Sequence, residues 1–194
     1  MVILEAIQSS KKTGQESFIF EGKKTNHNVL SFWQWSNSDL LGNSLRGILA
    51  EYIVASAIGV LQKPREEWEA YDLVSLEGLK IEIKSSSYLQ SWEQNKFSKI
   101  LFGIKPTVTW QNDGTKRSGL KRQADLYVFC VLSHKDKDTV NPLDLSQWDF
   151  YLLKTAILNE FSLTQKTITL PSLLKLKPLI VKYAGLKQAI TKCV

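Results

Sequence analysis

Between residues 38 and 58 the apolar positions recur at the three- and four-residue spacing of an α-helix. The residues that follow this spacing are Leu41, Leu45, Ile48, Leu49 and Tyr52. The pattern predicts one helix with a broad buried face, capped at its start by Asn37 or Ser38 and ended by Gly59. Residues 1–30 are polar and poorly patterned, and we expect an N-terminal arm with loops around a short strand at residues 17–20.

Elsewhere the apolar residues alternate with polar ones or form short continuous runs, and both patterns predict β-strands. Two strands are expected around Glu77 and Gly78, within the segment YDLVSLEGLKIEIKSS at residues 71–86. Further strands are predicted at residues 98–104, 125–132, 148–153 and 167–170, with a turn of helix after Pro171 and a last helix from about Ala184. This mixture predicts a fold of the α/β (α+β) class.

The composition fits a single globular domain that spans residues 1–194. Hydrophobic residues make up 43% of the chain, which is enough to bury one sizeable core. No apolar run reaches the ~20 residues needed to cross a bilayer, and no secretory signal is visible at the amino terminus. We therefore expect a soluble, cytoplasmic protein without a membrane partner.

Net charge, cysteines and histidines narrow the function only slightly. The formal net charge of +6 is compatible with a polyanionic partner, but many intracellular domains are this basic. Cys130 lies inside an apolar run and Cys193 is next to the C-terminus, so both are expected to be reduced thiols. His27 and His134 stand in separate polar segments, which argues against a His/Cys metal site.

The hairpin at residues 71–86 carries three charges whose placement depends on the length of its loop. A two-residue loop would put Asp72 and Glu82 on opposite faces of the strand pair. A three-residue loop would end at Gly78, the glycine available for a left-handed backbone conformation. In that register Asp72 lies directly opposite Glu82, and Lys84 shares their face.

Two opposed carboxylates destabilise a strand pair by a few tenths to about 1 kcal/mol, unless a cation neutralises them. Mg²⁺ is one candidate, because it favours one or two carboxylates completed by water and substrate phosphate, and Lys84 alone is the other. A third carboxylate, Glu51, shares a helical face with Gly47 and Ala55, whose small side chains predict close approach to a sheet. The simpler alternative for Glu51 is a glutamate on a solvated surface.

The helical Glu51, the hairpin Asp72 and the strand segment Glu82-Ile83-Lys84 together resemble the PD-(D/E)xK nuclease superfamily, which has the restriction-endonuclease-like fold. The resemblance covers roughly residues 38–132 and implies a core in which a central mixed β-sheet is flanked by helices. The proline of the motif is absent, because Tyr71 precedes Asp72.

The resemblance also implies roles for individual residues. Asp72 and Glu82 correspond to metal ligands, Glu51 to an additional ligand or water holder, and Lys84 to the lysine that orients or activates the attacking water. Gln90 is similar to a glutamine found downstream of that lysine in some branches. The implied activity is Mg²⁺-dependent hydrolysis of phosphodiester bonds in DNA, with Mn²⁺ as a substitute ion.

A stand-alone restriction or repair endonuclease is the expected type. The resemblance leaves RNA open as a substrate, and symmetric cutting of both strands would suit a homodimer. The Glu-x-Lys element is short, and the segment Glu21-Gly22-Lys23 fits it as well. That second copy has no aspartate upstream and lies in a polar segment. Sequence context therefore favours Glu82-Ile83-Lys84 as the functional element.

Substrate contacts are expected from a polar, basic loop at residues 106–122. The residues predicted to lie along nucleic-acid phosphates are Lys116, Arg117, Lys121 and Arg122, with a solvated surface loop as an equally good alternative. Four tryptophans offer faces on which bases could stack, although core packing is the expectation for this residue type. They are Trp33, Trp35, Trp92 and Trp110.

Three interpretations remain open from the sequence. The first is a metal-dependent DNA endonuclease. The second is a catalytically inactive nucleic-acid-binding or assembly module on the same fold. The third is a chance motif on another fold, which would be indicated if Asp72 and Glu82 pointed to different faces.

Overall fold

The computed structural model describes residue 4 and residues 7–66, 69–108 and 119–193. Its elements in chain order are β1 Ser17–Phe20, β2 Lys23–Asn28, α1 Val29–Ser36, α2 Asn43–Ile58, β3 Leu73–Val74, β4 Lys80–Ser87, β5 Leu101–Gly103, β6 Leu126–Leu132, β7 Trp148–Lys154, α3 Thr155–Phe161, β8 Thr167–Thr169, α4 Leu170–Lys175, β9 Leu179–Val181 and α5 Leu186–Thr191.

A mixed five-stranded sheet forms the centre, in the order β3–β4–β6–β7–β9. Strands β4 and β6 are parallel, and the other neighbours are antiparallel. Strand β6 is apolar at every position because both of its faces are buried. Helices α2 and α5 pack on one face, while β5, β8, α3 and α4 cover the other. The predicted central mixed sheet flanked by helices is confirmed.

Helix α2 positions the first candidate residue, and its end was predicted better than its start. Gly59 ends it in the left-handed conformation at φ 77°, as expected, and donates its N–H to the carbonyl of Ala55 at 2.9 Å. The expected cap at Asn37 or Ser38 is wrong, because Asn37 instead ends α1 and the carboxylate of Asp39 forms a separate turn with the N–H of Gly42 at 3.0 Å.

The N-terminal segment is more regular than its sequence suggests. The strand at residues 17–20 is confirmed, but the expected loop after it is wrong, since Lys23–Asn28 pairs with it as β2. Glu21 and Gly22 form the tight turn between the two strands, both at positive φ. Polar β2 lacks the apolar alternation that would have predicted it. The second Glu-x-Lys copy therefore belongs to a hairpin turn.

Strand β5 forms where a strand was predicted, but it is shorter and lies outside the central sheet. Ile100, Phe102 and Ile104 are buried in alternation, as expected. The strand itself is limited to Leu101–Gly103 and pairs with β8 in a separate two-stranded sheet outside the central one. Two elements after β7 that were not predicted, α3 and β9, complete the fold. No helix among the described residues combines the length and apolar character needed to cross a membrane.

Candidate active site

The β3–β4 hairpin has the three-residue loop that the glycine position predicts. Ser75 donates its N–H to the carbonyl of Leu79 at 2.9 Å, and Gly78 adopts φ 86°. Leu73 accordingly pairs with Ile81. This register decides which hairpin side chains share a face.

Asp72 departs from the regular pairing. Its backbone N–H donates to the carbonyl of Ile81 at 3.0 Å, and its carboxylate Oδ2 accepts the N–H of Ile83 at 2.6 Å. The predicted placement directly opposite Glu82 is therefore wrong, because the strand pair is irregular beyond Leu73. The carboxylate lies instead against the backbone edge of β4, between the two faces of the sheet.

Glu82 and Lys84 share one face of β4, as predicted. Their neighbours across the parallel pairing are Tyr127 and Phe129, whose side chains belong to the core on the side away from α2. Lys84 Nζ lies 2.5 Å from Glu82 Oε1. Burial raises the pKa of Glu82, repulsion from Asp72 adds to the increase, and the ammonium of Lys84 opposes it.

Glu51 approaches these residues from the α2 side of the sheet. Its carboxylate receives two hydrogen bonds from Arg65, Nε to Oε2 at 2.5 Å and Nη2 to Oε1 at 3.1 Å. Burial raises the pKa of Glu51, with Asp72 adding to the increase and both Arg65 and Lys84 opposing it. Since its side chain is only 13% exposed, Glu51 is not a solvated surface glutamate.

Ala55 and Gly47, the small residues on the same helical face as Glu51, differ in their surroundings. Ala55 is buried, but a Cβ added at Gly47 would meet nothing within 4 Å. The expectation that Gly47 allows a close approach is therefore wrong.

The carboxylates do not form a ready-made three-ligand site. Across the described part of the chain, no three His, Cys, Asp or Glu side chains lie close enough to hold one ion together. Glu51 is paired with Arg65 and Glu82 with Lys84. The donor set nevertheless fits Mg²⁺, which needs only one or two carboxylates beside water and phosphate. Burial raises the pKa of both Glu51 and Glu82 even though Arg65 and Lys84 lie beside them.

A cleft of about 580 Å³ opens beside Glu51 and Asp72. Apolar side chains such as Tyr52 and Leu73 line part of it, and Arg65 lies on its wall. Arg65 was not predicted as a site residue, because it stands 14 positions from Glu51 in the connector between α2 and β3, where no periodicity links the two.

Gln90 lies in a buried hydrogen-bond network of this fold. It is only 5% exposed, and its side-chain carbonyl accepts a hydrogen bond from Arg46 at 3.1 Å. Its amide donates to the carbonyl of Ser87 and to the hydroxyl of Ser98, both at 3.2 Å. These contacts occupy the side chain, so they do not support the catalytic role that the resemblance implied.

The basic loop divides into described and undescribed parts. Lys116 and Arg117 lie outside the described residues. Lys121 is exposed, and its backbone pairs with Thr107. Arg122 is 6% exposed. The prediction that Arg122 contacts phosphates is wrong, because internal acceptors take its guanidinium.

Three acceptors from different segments hold Arg122. They are the carbonyl of Ile104 at 2.8 Å, Oδ1 of Asn159 at 2.7 Å and the carbonyl of Gln165 at 3.2 Å. Arg122 therefore joins the ends of β5 and α3 to the segment before β8.

Three of the four tryptophans are on the surface. Trp33, Trp35 and Trp92 are 37%, 84% and 52% exposed, while Trp110 lies outside the described residues. The expectation of core packing is wrong for these three. Base stacking by them remains a prediction.

Comparison with known proteins identifies the family of the chain. Among solved structures, the chain is similar to the bacterial homing endonuclease I-Ssp6803I, at 19% identity and a TM-score of 0.36, over 66% of this chain and 76% of that one. No curated protein matches. The family model for bacteriophage T4 endonuclease IV matches residues 3–170, which is most of the chain. The chain therefore belongs to the bacteriophage T4 endonuclease IV family.

Proposed function

We propose that this protein is a metal-dependent DNA endonuclease of the PD-(D/E)xK type, acting with Mg²⁺ in restriction or repair. Membership of an endonuclease family supports the nuclease activity. The observation that carries the finer proposal is the position of Asp72 against the edge of β4, the strand on which Glu82 and Lys84 form an ion pair at 2.5 Å.

Asp72 and Glu82 would hold the ion, with Glu51 as a further candidate. The hydrogen bond from Ile83 fixes Asp72 Oδ2, which leaves the other carboxylate oxygen to face a ligand. A bound Mg²⁺ would supply positive charge at the scissile phosphate and lower the pKa of its water.

Lys84 would hold the attacking water and stabilise the negative charge of the transition state. Glu82 orients its ammonium, because the two groups are paired on the same face of β4. The lysine side chain is 32% exposed, so the ammonium is accessible to substrate.

Phosphate contacts away from the reaction would come from the basic loop. Lys121 is the member of the predicted set that is both described and exposed. Lys116 and Arg117 in the same loop complete the set. The formal net charge of +6 supports attraction of a polyanion, and DNA is the substrate we propose.

A cleavage assay tests the proposal. The purified protein is incubated with supercoiled, linear, single-stranded and branched DNA, in Mg²⁺, in Mn²⁺ or in EDTA. We expect strand cleavage with either ion and none in EDTA. The set of substrates separates duplex, single-strand and junction specificity.

Two lysines of β4 provide the matched variants. Lys84→Ala should abolish cleavage and leave the protein folded, whereas Lys80→Ala, at the exposed start of the strand, should cut normally. Full activity of Lys84→Ala would overturn the proposal. Salt-sensitive DNA binding without metal-dependent cleavage would instead favour the inactive binding module.

A further inference from the structure

Arg65 holds both carboxylate oxygens of Glu51 in a two-pronged contact, at 2.5 Å and 3.1 Å. The arginine is in the connector between α2 and β3, and the glutamate is in the middle of α2. Arg65 is 37% exposed at its side chain, so one part of it contacts Glu51 and another part reaches solvent.

Stability alone is a weak explanation for this pair. The Arg65 side of the pair is 37% exposed, so solvent screens the interaction, and exposed ion pairs contribute about 0–1 kcal/mol. The location of the pair is more informative, because Glu51, Arg65 and Asp72 line the same cleft. The charge of Asp72 also acts on Glu51. The guanidinium therefore shares a cleft with Asp72, one of the proposed metal ligands.

The contact with Arg65 competes with any other cation for Glu51. Both carboxylate oxygens are already engaged, so a metal ion could use Glu51 fully only if Arg65 released it. A released guanidinium would remain in the cleft beside Asp72. Its planar set of donors matches the oxygens of a phosphate group better than a lysine does.

We propose that Arg65 is a phosphate-binding residue of the active site, held by Glu51 until a divalent cation takes that carboxylate, after which it contacts the DNA strand in the cleft. This inference rests on the proposed metal-dependent function. Among the described residues no three carboxylates share one ion site, which agrees with the engagement of Glu51 by Arg65.

Metal binding without DNA gives the first test, by calorimetric titration with Mn²⁺. Removing the competing guanidinium in Arg65→Ala should tighten Mn²⁺ binding about fivefold, the equivalent of a pair worth roughly 1 kcal/mol. Arg65→Lys should be intermediate, because it keeps the charge and loses the two-pronged contact. Lys63→Ala is the matched control, since it removes a cation from the same cleft and should change affinity less than twofold.

The outcomes of this titration are distinct. Unchanged or weaker Mn²⁺ binding by Arg65→Ala overturns the proposal that the cation replaces Arg65 on Glu51. Equal tightening by Lys63→Ala overturns it as well, because it would indicate a general effect of charge. If the wild-type protein binds no Mn²⁺, the metal site of the proposed function is overturned, and so is the proposal that a cation replaces Arg65 on Glu51.

DNA binding gives the second test, by fluorescence anisotropy of a short duplex in a Lys84→Ala background that does not cut. Adding Arg65→Ala should weaken binding about tenfold in Mg²⁺, the lower end of the range for one hydrogen bond to a charged group, and less than twofold in EDTA. An equal loss under both conditions overturns the dependence on metal. No loss under either condition overturns the phosphate contact.

Discussion

The carboxylate of Asp72 accepts the backbone N–H of Ile83 at 2.6 Å, so a side chain occupies a position that a neighbouring strand would otherwise fill. Strand β3 is only two residues long, and the edge of β4 is open beyond it. The hydrogen bond therefore ties Asp72 to the strand that carries Glu82 and Lys84. The relative positions of Asp72, Glu82 and Lys84 therefore depend on β4 more than on the hairpin loop.

Replacing Asp72 in two ways separates its charge from this hydrogen bond. Asp72→Asn keeps an oxygen that can accept from Ile83 but removes the negative charge, so cleavage should fall at least about 100-fold while stability stays close to that of the wild type. Asp72→Ala should lose cleavage and, in addition, about 1–2 kcal/mol of stability. Nicking rates and urea unfolding measure the two effects, and an active Asn variant would contradict the assigned role.

Glu82 should make the metal-free protein less stable as pH rises. Burial raises its pKa in the folded state, so the fold favours the protonated acid, and this contribution is lost as pH rises through the folded pKa. Glu82→Gln cannot ionise, and its stability relative to the wild type should increase from pH 4 to pH 8 in EDTA. Urea unfolding across this range checks the sign, and the opposite trend would show that the pair with Lys84 outweighs burial.

The sequence predicted those parts of the fold that local periodicity controls. Strands β4, β6 and β7 follow from apolar alternation or continuous apolar runs, and the hairpin register follows from the need for a left-handed residue at Gly78. Polar β2 and the short β9 were missed because their pairing comes from tertiary contacts rather than from a pattern.

The candidate site was predicted only where its residues are close in sequence. Glu82 and Lys84 share a face because alternation in a strand requires it. The contact between Arg65 and Glu51 joins a connector to a helix, and no spacing rule reaches across that distance. Arg122 was predicted to lie in a surface loop but is buried, because carbonyl and amide oxygens accept hydrogen bonds from its guanidinium group.

Gln90 should matter for stability and not for the chemical step. Gln90→Ala removes a side chain that hydrogen-bonds Arg46, Ser87 and Ser98, and about 2–3 kcal/mol of stability should be lost. The cleavage rate per folded molecule should not change. Urea unfolding and single-turnover cleavage below the unfolding transition check the two parts. A large fall in the single-turnover rate would restore the catalytic role implied by the resemblance.

The neighbours Lys121 and Arg122 should respond in opposite ways to alanine substitution. Lys121 is exposed, so Lys121→Ala should weaken DNA binding, lower the salt dependence by about one unit and leave stability unchanged. Arg122→Ala should cost about 3 kcal/mol of stability, because it leaves three buried neutral acceptors without their donor, and it should leave the salt dependence intact. DNA affinity over a range of salt concentrations, with parallel unfolding curves, distinguishes them. A reduced salt slope in Arg122→Ala would contradict the buried placement.

Two glycines should show opposite effects of an added methyl group. Gly47 lies within α2 with nothing near a new Cβ, so Gly47→Ala should stabilise the protein by about 1 kcal/mol through higher helix propensity. Gly78 adopts φ 86° in the hairpin loop, where an L-alanine is strained, so Gly78→Ala should destabilise it by about 1 kcal/mol. Urea unfolding measures both changes. Destabilisation by Gly47→Ala would contradict the open space found at Gly47, and would mean that another group packs against this face of α2.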